Sequence, residues 1–265
     1  MSSEADRGQV KLDGAGVLIT RPLEQSIGME AMVTTWGGVA YVFPSLEINL
    51  ADTDTLHASL DRVQAGDVLI FVSTNAVRGV FHEVGEELRH NLASALIAAV
   101  GERTQAALAA ENLFVAIAPK RKQQNSEGLL HHPLLQDLAG RHVYIVRGQA
   151  GREILRETLI ERGAQLEYVQ AYSRNIPRSY NNASVIKALN TGRIQFVMLT
   201  SFAAFENLRL MLGSEADTLL KNTQLVVPGK RIAQKIRDLY PFLIHEADNA
   251  SDKEMLGALS GVSWP

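Results

Sequence analysis

The sequence predicts an α/β architecture of open, mostly parallel sheets, and it predicts that architecture twice. Two observations carry this. Short apolar, β-type runs alternate with longer stretches of helical periodicity, the βαβα punctuation of a parallel sheet with helices on both faces. Landmarks at the ends of those runs also recur at a nearly fixed distance: Arg21 and Arg147 lie 126 residues apart, while Ser73 and Ser201, Gly101 and Gly229, and Arg103 and Arg231 each lie 128 apart. The serine precedes the glycine by 28 residues in each copy. Reused turn chemistry in βα folds explains one such coincidence; four at nearly one spacing read as an internal duplication.

Taken in order, Val17-Leu18-Ile19-Thr20 is a continuous run closing on Arg21-Pro22, as expected of a strand buried on both faces. Residues 23–35 place Leu23, Ile27, Met29, Met32 and Val33 at loose helical spacing, and Gly37-Gly38 stops the helix. Val39–Phe43 returns to strand and ends at Pro44. Asp67–Val72 is a second buried strand, followed by Ser73-Thr74-Asn75 and a helix over 76–89. Ala95–Val100 reads as a strand or a short buried helix end, residues 103–111 as a helix, and Leu113–Ile117 as a strand. The order then repeats: strand Val143–Val146 closing on Arg147-Gly148, helix 151–162 stopped by Gly163, strand Leu166–Tyr172, strand Phe196–Leu199, a helix to Leu212, strand Leu225–Val227, and a helix from about Arg231.

The length of 265 residues suits two domains. A hydrophobic content of 46% with 21% charged residues is that of a folded globular chain. The net charge of −3 gives no overall electrostatic footprint for nucleic acid. The absence of cysteine excludes a disulfide, a thiolate-ligated metal and a cysteine nucleophile. The N-terminus MSSEADRGQVKLDGAG has no apolar core of a secretion signal, and the apolar runs fall far short of the ~20 residues that span a bilayer, so a cytoplasmic chain without a membrane anchor is expected.

No P-loop, no strand-following G-x-G-x-x-G, no G-x-S-x-G and no H-E-x-x-H occurs. Asp52 and Asp54 lack the glycine and distal glutamate of an EF-hand; Asp52 or Thr53 reads as a helix cap. His131-His132 before Pro133 reads as a solvated turn. What remains is a set of hydroxyls, glycines and arginines at strand-to-helix junctions. Ser73, Thr74, Thr200 and Ser201 precede helices, and read either as caps alone or as caps facing an anion, since helix N-termini bind carboxylates without net basic charge. Gly101, Gly148 and Gly229 either permit a tight turn or let the backbone approach a ligand. Arg21, Arg147 and Arg152 form either surface ion pairs or forks for carboxylates. Tyr172 ends a strand and offers either edge packing or a phenol that transfers a proton. In open α/β sheets, ligands bind beyond the carboxyl ends of the strands, where all of these residues fall.

With these residues in view, the chain resembles the uroporphyrinogen-III synthase family over nearly its whole length. The matching stretches are Leu18–Pro22, Phe43–Ile48, Phe71–Val77, Val100–Thr104, Ser126–Leu130, Arg147–Glu153, Arg162–Ala164 leading to Tyr172, Thr200-Ser201 and Gly229; each is short, and their order and spacing carry the likeness. The resemblance implies two similar flavodoxin-like domains joined by a two-stranded connector, with the active-site cleft between them. It implies interleaving: residues 1–43 and 174–265 in one domain, 44–173 in the other, with crossings near Phe43–Ile48 and Val169–Pro177. The implied activity is a lyase-type cyclisation of hydroxymethylbilane to uroporphyrinogen III, with loss of water and inversion of the last pyrrole ring, in tetrapyrrole and haem biosynthesis. No metal or other cofactor is implied. A monomer is expected, with handover of substrate from hydroxymethylbilane synthase.

By position, Tyr172 matches the family tyrosine assigned to departure of the hydroxyl, and Thr104 the threonine after the first Val-Gly turn. Ser73 and Ser201 match the serines after the central strands; Thr74, Asn75, Gly101, Ser126, Arg147, Gly148, Arg152, Arg21 and Gly229 complete the expected binding set. Two departures stand out. Ile232 occupies a place where the family often has a hydroxyl, and Phe202-Ala203-Ala204 is a bulkier turn than usual. They motivate an alternative, a diverged tetrapyrrole- or anion-binding module without catalysis. A receptor for small anions would require export, for which the N-terminus shows no signal.

Overall fold

The computed structural model describes residues 11–82, 84–149 and 153–263. In chain order the strands are β1 Gly16–Ile19, β2 Val39–Val42, β3 Glu47–Leu50, β4 Val68–Phe71, β5 Leu96–Ala99, β6 Val115–Ile117, β7 His142–Gly148, β8 Gln165–Asn175, β9 Phe196–Met198, β10 Gln224–Pro228 and β11 Leu243–Ala247. The helices are α1 Leu23–Thr35, α2 Thr53–Leu60, α3 Thr74–Phe81, α4 Glu86–Ala93, α5 Glu102–Ala110, α6 Ser126–Leu130, α7 Ile154–Glu161, α8 Ala183–Asn190, α9 Phe202–Leu212, α10 Ala216–Leu220, α11 Lys230–Arg237 and α12 Asp252–Gly257.

The chain divides into two compact units. One holds the chain up to Glu47 and from Asn175 onward; the other is Ile48–Arg174. The terminal unit has a five-stranded sheet in the order β2-β1-β9-β10-β11, with every neighbouring pair parallel. The middle unit's sheet runs β8-β7-β4-β5-β6, again parallel, with β3 added beside β8 at the edge. Counted along each unit's own strands, the terminal sheet has the 2-1-3-4-5 order of flavodoxin-like sheets.

Sheet register repeats the sequence spacing. The pair Val17↔Ala40 of β1 and β2 recurs 126 residues on as Val143↔Leu166 of β7 and β8. Phe196↔Gln224 of β9 and β10 recurs 128 residues earlier as Val68↔Leu96 of β4 and β5. Each unit therefore takes its first two sheet positions from one copy of the repeat and its last three from the other.

The continuous apolar strands are explained by burial on both faces, with successive side chains pointing to opposite sides. In the terminal unit, Leu18, Val197 and Leu225 pack with α8, α9 and α11, while Val17, Ile19, Phe196 and Val226 pack with α1 and α12. In the middle unit, Leu69, Phe71 and Ile97 face α2, α3, α4 and α5, while Val68, Ile70 and Val143 face α6 and α7.

Several expectations change in detail. The helix expected over 76–89 is two helices, because the chain leaves α3 at His82 and restarts at Gly85, the N-cap of α4. Ala95–Val100 resolves as strand β5. The strand expected to end at Tyr172 continues to Asn175 as β8. Asp52 caps α2, its carboxylate accepting the Thr55 N–H at 2.8 Å; those bonds hold its pKa below the usual carboxylate value.

Candidate functional site

The middle unit gathers the densest set of expected residues at the carboxyl edge of its sheet. Ser73 follows β4 in extended backbone, and its hydroxyl accepts the Ala76 N–H at 3.2 Å, capping α3. Thr74 opens that helix and is exposed; Asn75 is half-buried. Tyr172 on β8 is 4% exposed, and its hydroxyl lies 3.2 Å from the Ser73 hydroxyl. The Arg174 guanidinium donates to the Tyr172 oxygen at 3.3 Å and lies 5.4 Å from the ring centroid.

Gly148, the last residue of β7, explains how the tyrosine fits. A Cβ there would stand 2.7 Å from the Tyr172 ring and 3.2 Å from its hydroxyl oxygen. The ring lies directly on the glycine, which makes Gly148 the floor of this group. The sequence showed Gly148 as a turn or approach residue; the approaching group is Tyr172 itself.

Gly101 caps α5 in extended backbone, and Thr104 is buried in the first turn of that helix, which packs against α3. Ser126 opens the short helix α6, whose cap is Asn125, accepting the Gly128 N–H at 2.7 Å. Arg147 is buried: it pairs with Glu153 at 3.0 Å and stacks over the Tyr168 ring at 4.5 Å, and the same carboxylate accepts the Tyr168 hydroxyl at 2.6 Å. The hydrogen bond from Tyr168, then that from Arg147, holds the Glu153 carboxyl below its usual pKa. Arg152 lies outside the described residues.

The terminal unit places its expected residues at the corresponding sheet edge. Arg21 is 7% exposed, ion-paired with Asp252 and donating to the Ala250 carbonyl at 2.7 Å. Ser201 caps α9, accepting the Ala204 N–H at 3.1 Å. Gly229 caps α11 at φ 80°, a left-handed backbone that favours glycine. Ile232 is half-buried against the apolar core, and Phe202 lies under the Lys235 ammonium, 3.8 Å from its ring centroid. Of the three arginines expected to fork onto ligand carboxylates, Arg21 and Arg147 are thus engaged by the chain's own carboxylates.

Ser73 and Gly148 are both brought against Tyr172. Arg174 is the residue of that group that sequence reasoning missed. Its signal was present: two residues beyond Tyr172 on one strand, it falls on the same face. Among the described residues, no cluster of three or more His, Asp or Glu could hold a metal ion, and no helix is long and apolar enough to cross a membrane.

A phenol, a serine hydroxyl and a guanidinium at a strand end, without a nucleophile motif, suit proton transfer and positioning. The family model described as uroporphyrinogen-III synthase HemD matches residues 29–257. The chain belongs to the uroporphyrinogen-III synthase family. It is 29% identical to a uroporphyrinogen-III synthase of Salmonella typhimurium over 245 residues, covering 92% of this chain and 99% of that one. It is 28% identical to that of Escherichia coli over the same shares. A solved mutant uroporphyrinogen III synthase of Thermus thermophilus shares the fold, with a TM-score of 0.62 at 18% identity over 93% of this chain and 96% of that one. The Helicobacter pylori protein superposes with a TM-score of 0.58 at 14% identity, covering 92% and 97%. Uroporphyrinogen-III synthases act in tetrapyrrole biosynthesis, and the family assignment puts this chain there.

Proposed function

We propose that this chain closes hydroxymethylbilane to uroporphyrinogen III, with loss of water and inversion of the terminal pyrrole ring, and that Tyr172 is its proton donor. The observation that carries the reading is the Tyr172 hydroxyl, held between Ser73 and Arg174 on β8, three residues before the strand's end, in a chain of this family. Loss of the hydroxymethyl oxygen as water from an electron-rich pyrrole is intrinsically easy, so one weak acid suffices. The demanding part is directing attack to the substituted carbon, a matter of orientation, which is worth up to ~7–11 kcal/mol in a preorganised site.

The substrate's carboxylates find donors in the first-turn N–H groups and hydroxyls at Ser73, Thr74, Asn75, Gly101 and Ser201, with no need for net positive charge. Thr104 stands in the first turn of α5 as the matching family threonine. Arg21 and Arg147, paired with Asp252 and Glu153, shape the strand ends that present these groups. The two compact units act as its two domains. The reaction is that of a hydro-lyase needing no metal or organic cofactor. It runs in a cytoplasmic monomer supplied by hydroxymethylbilane synthase.

The test is a coupled assay with freshly made hydroxymethylbilane and isomer analysis of the product. Type III uroporphyrinogen is expected; type I alone, the product of spontaneous closure, ends the enzyme reading. Ile232, apolar where Thr104 stands in the other unit, favours a second reading, a binding module without turnover. Tight product binding with no type III formation would select it.

A further inference from the structure

We infer that Arg174 is a positioning residue for the reaction, acting through the Tyr172 phenol; this rests on the reading of Tyr172 as the proton donor. The chemistry of the donors sets the direction. A guanidinium has no acceptor, so the 3.3 Å contact is an Arg174 N–H donating into a lone pair of the phenol oxygen. That contact fixes the oxygen from one side and leaves the phenol's own O–H to point elsewhere. The Ser73 hydroxyl, 3.2 Å away and already accepting the Ala76 N–H, is the partner at rest. With substrate bound, the departing hydroxyl takes that place.

The geometry also provides for the charge that follows. The phenol proton passes to the hydroxymethyl oxygen, the C–O bond breaks with its electron pair leaving on water, and the pyrrole nitrogen lone pair closes the azafulvenium cation. The phenolate left behind already has a positively charged donor aimed at its oxygen, so no group need reorganise as the charge develops. After ring closure, the proton lost by the macrocycle returns to the phenolate, which balances the cycle. Gly148 sets the height of the ring beneath this arrangement, since any Cβ would displace it.

Four full-length variants test the inference: Tyr172→Phe, Arg174→Met, Arg174→Lys and the Tyr172→Phe, Arg174→Met pair. Each is read by kcat, KM, product isomer ratio and thermal unfolding. Tyr172→Phe is expected to lower kcat by more than about tenfold. Arg174→Met is expected to lower kcat about tenfold with KM held within about twofold, and Arg174→Lys to recover most of the loss. The pair is expected to be no slower than Tyr172→Phe alone, because residues acting as a unit are not additive. A raised KM in Arg174→Met, or a further loss in the Tyr172→Phe background, would make Arg174 an independent substrate ligand and overturn the inference. An unchanged kcat in Arg174→Met beside a slow Tyr172→Phe overturns it while sparing the tyrosine. A fully active Tyr172→Phe removes the tyrosine reading and the inference together. If Arg174→Met does not fold, Arg174→Lys read alone and on Tyr172→Phe takes its place, with its smaller loss expected to vanish in the pair and its persistence there counting against the inference.

Discussion

The unit made from both ends of the chain and the unit made from its middle share a strand order and a register, yet they finish their strands with different chemistry. Tyr172 and Gly148 of the middle unit correspond, 126 residues earlier, to Leu46 and Pro22 of the terminal unit, while the counterpart of Arg174 at that spacing, Ile48, lies on β3 of the middle unit itself. Thr104 corresponds to Ile232. The serine caps are the same, Ser73 and Ser201 each accepting the N–H three residues on, and Arg21 and Arg147 are both buried and paired with a carboxylate. The serine-capped helix starts thus recur in both units, while the phenol and the glycine beneath it occur in one. The terminal unit also carries an aromatic cluster of Phe205, Tyr240 and Phe242 flanked by Arg209.

Breaking the comparison should be easiest at Gly148. Gly148→Ala drives a methyl group into the Tyr172 ring, and activity should fall by about a hundredfold. Pro22→Ala, at the matching position, should keep activity within about threefold. Steady-state kinetics on both proteins checks this, and equal losses would show that the two strand ends are used alike.

A sharper comparison uses the shared caps. Ser73→Ala and Ser201→Ala should each cost about 1 kcal/mol in urea unfolding, since each removes one N-cap. Ser73→Ala should also slow turnover about fivefold more than Ser201→Ala, because only Ser73 also touches the phenol. Equal rates would put the role of Ser73 in capping alone.

The glycine turns differ in strain. Gly229 has φ 80°, whereas Gly101 is extended. Gly229→Ala should therefore destabilise the chain by about 1–2 kcal/mol, and Gly101→Ala by much less, in the same unfolding measurement.

The smallest expected effect is a pH slope confined to the terminal unit. His245 on β11 occupies the register position of Ile117 on β6, and its ring nitrogen lies 2.6 Å from the Gln224 side-chain oxygen. Burial holds its imidazole below the usual pKa. The folded chain then binds the proton less readily than the unfolded one. Its stabilising contribution is whole above the unfolded value of about 6.5 and is lost as pH falls through the depressed folded value. His245→Gln should flatten the dependence of the urea midpoint between about pH 7.5 and 5.5.

What could be read from sequence follows the physics of burial. Val17–Ile19, Val68–Phe71 and Phe196–Met198 announce themselves because strands covered on both faces must be apolar at every position. β11 does not, because as an edge strand it carries His245 and Glu246, the latter paired with Arg237 at 2.6 Å. The break between α3 and α4 hides because both helices bury leucine- and valine-rich faces with one period running through. At the site, Ser73 and Tyr172 were legible as residue types at strand ends, but their contact joins positions 99 apart. The reason Gly148 is a glycine belongs to a neighbour 24 residues away, which no local pattern encodes.

The exchange of segments between units also sets a timetable for synthesis. The middle unit is continuous in the chain and can complete itself once Arg174 has emerged. β1, by contrast, lies between β2 and β9 in its sheet, and about 150 residues separate those two partners in sequence. At a ribosomal rate of ~5–20 residues per second, β1 waits roughly 8–30 seconds for its second neighbour. Through that interval, Val17, Leu18 and Ile19 present an unpaired, apolar strand edge, the kind of surface that chaperones hold and that otherwise seeds aggregation. The nascent chain is therefore most vulnerable at β1, after its middle has folded.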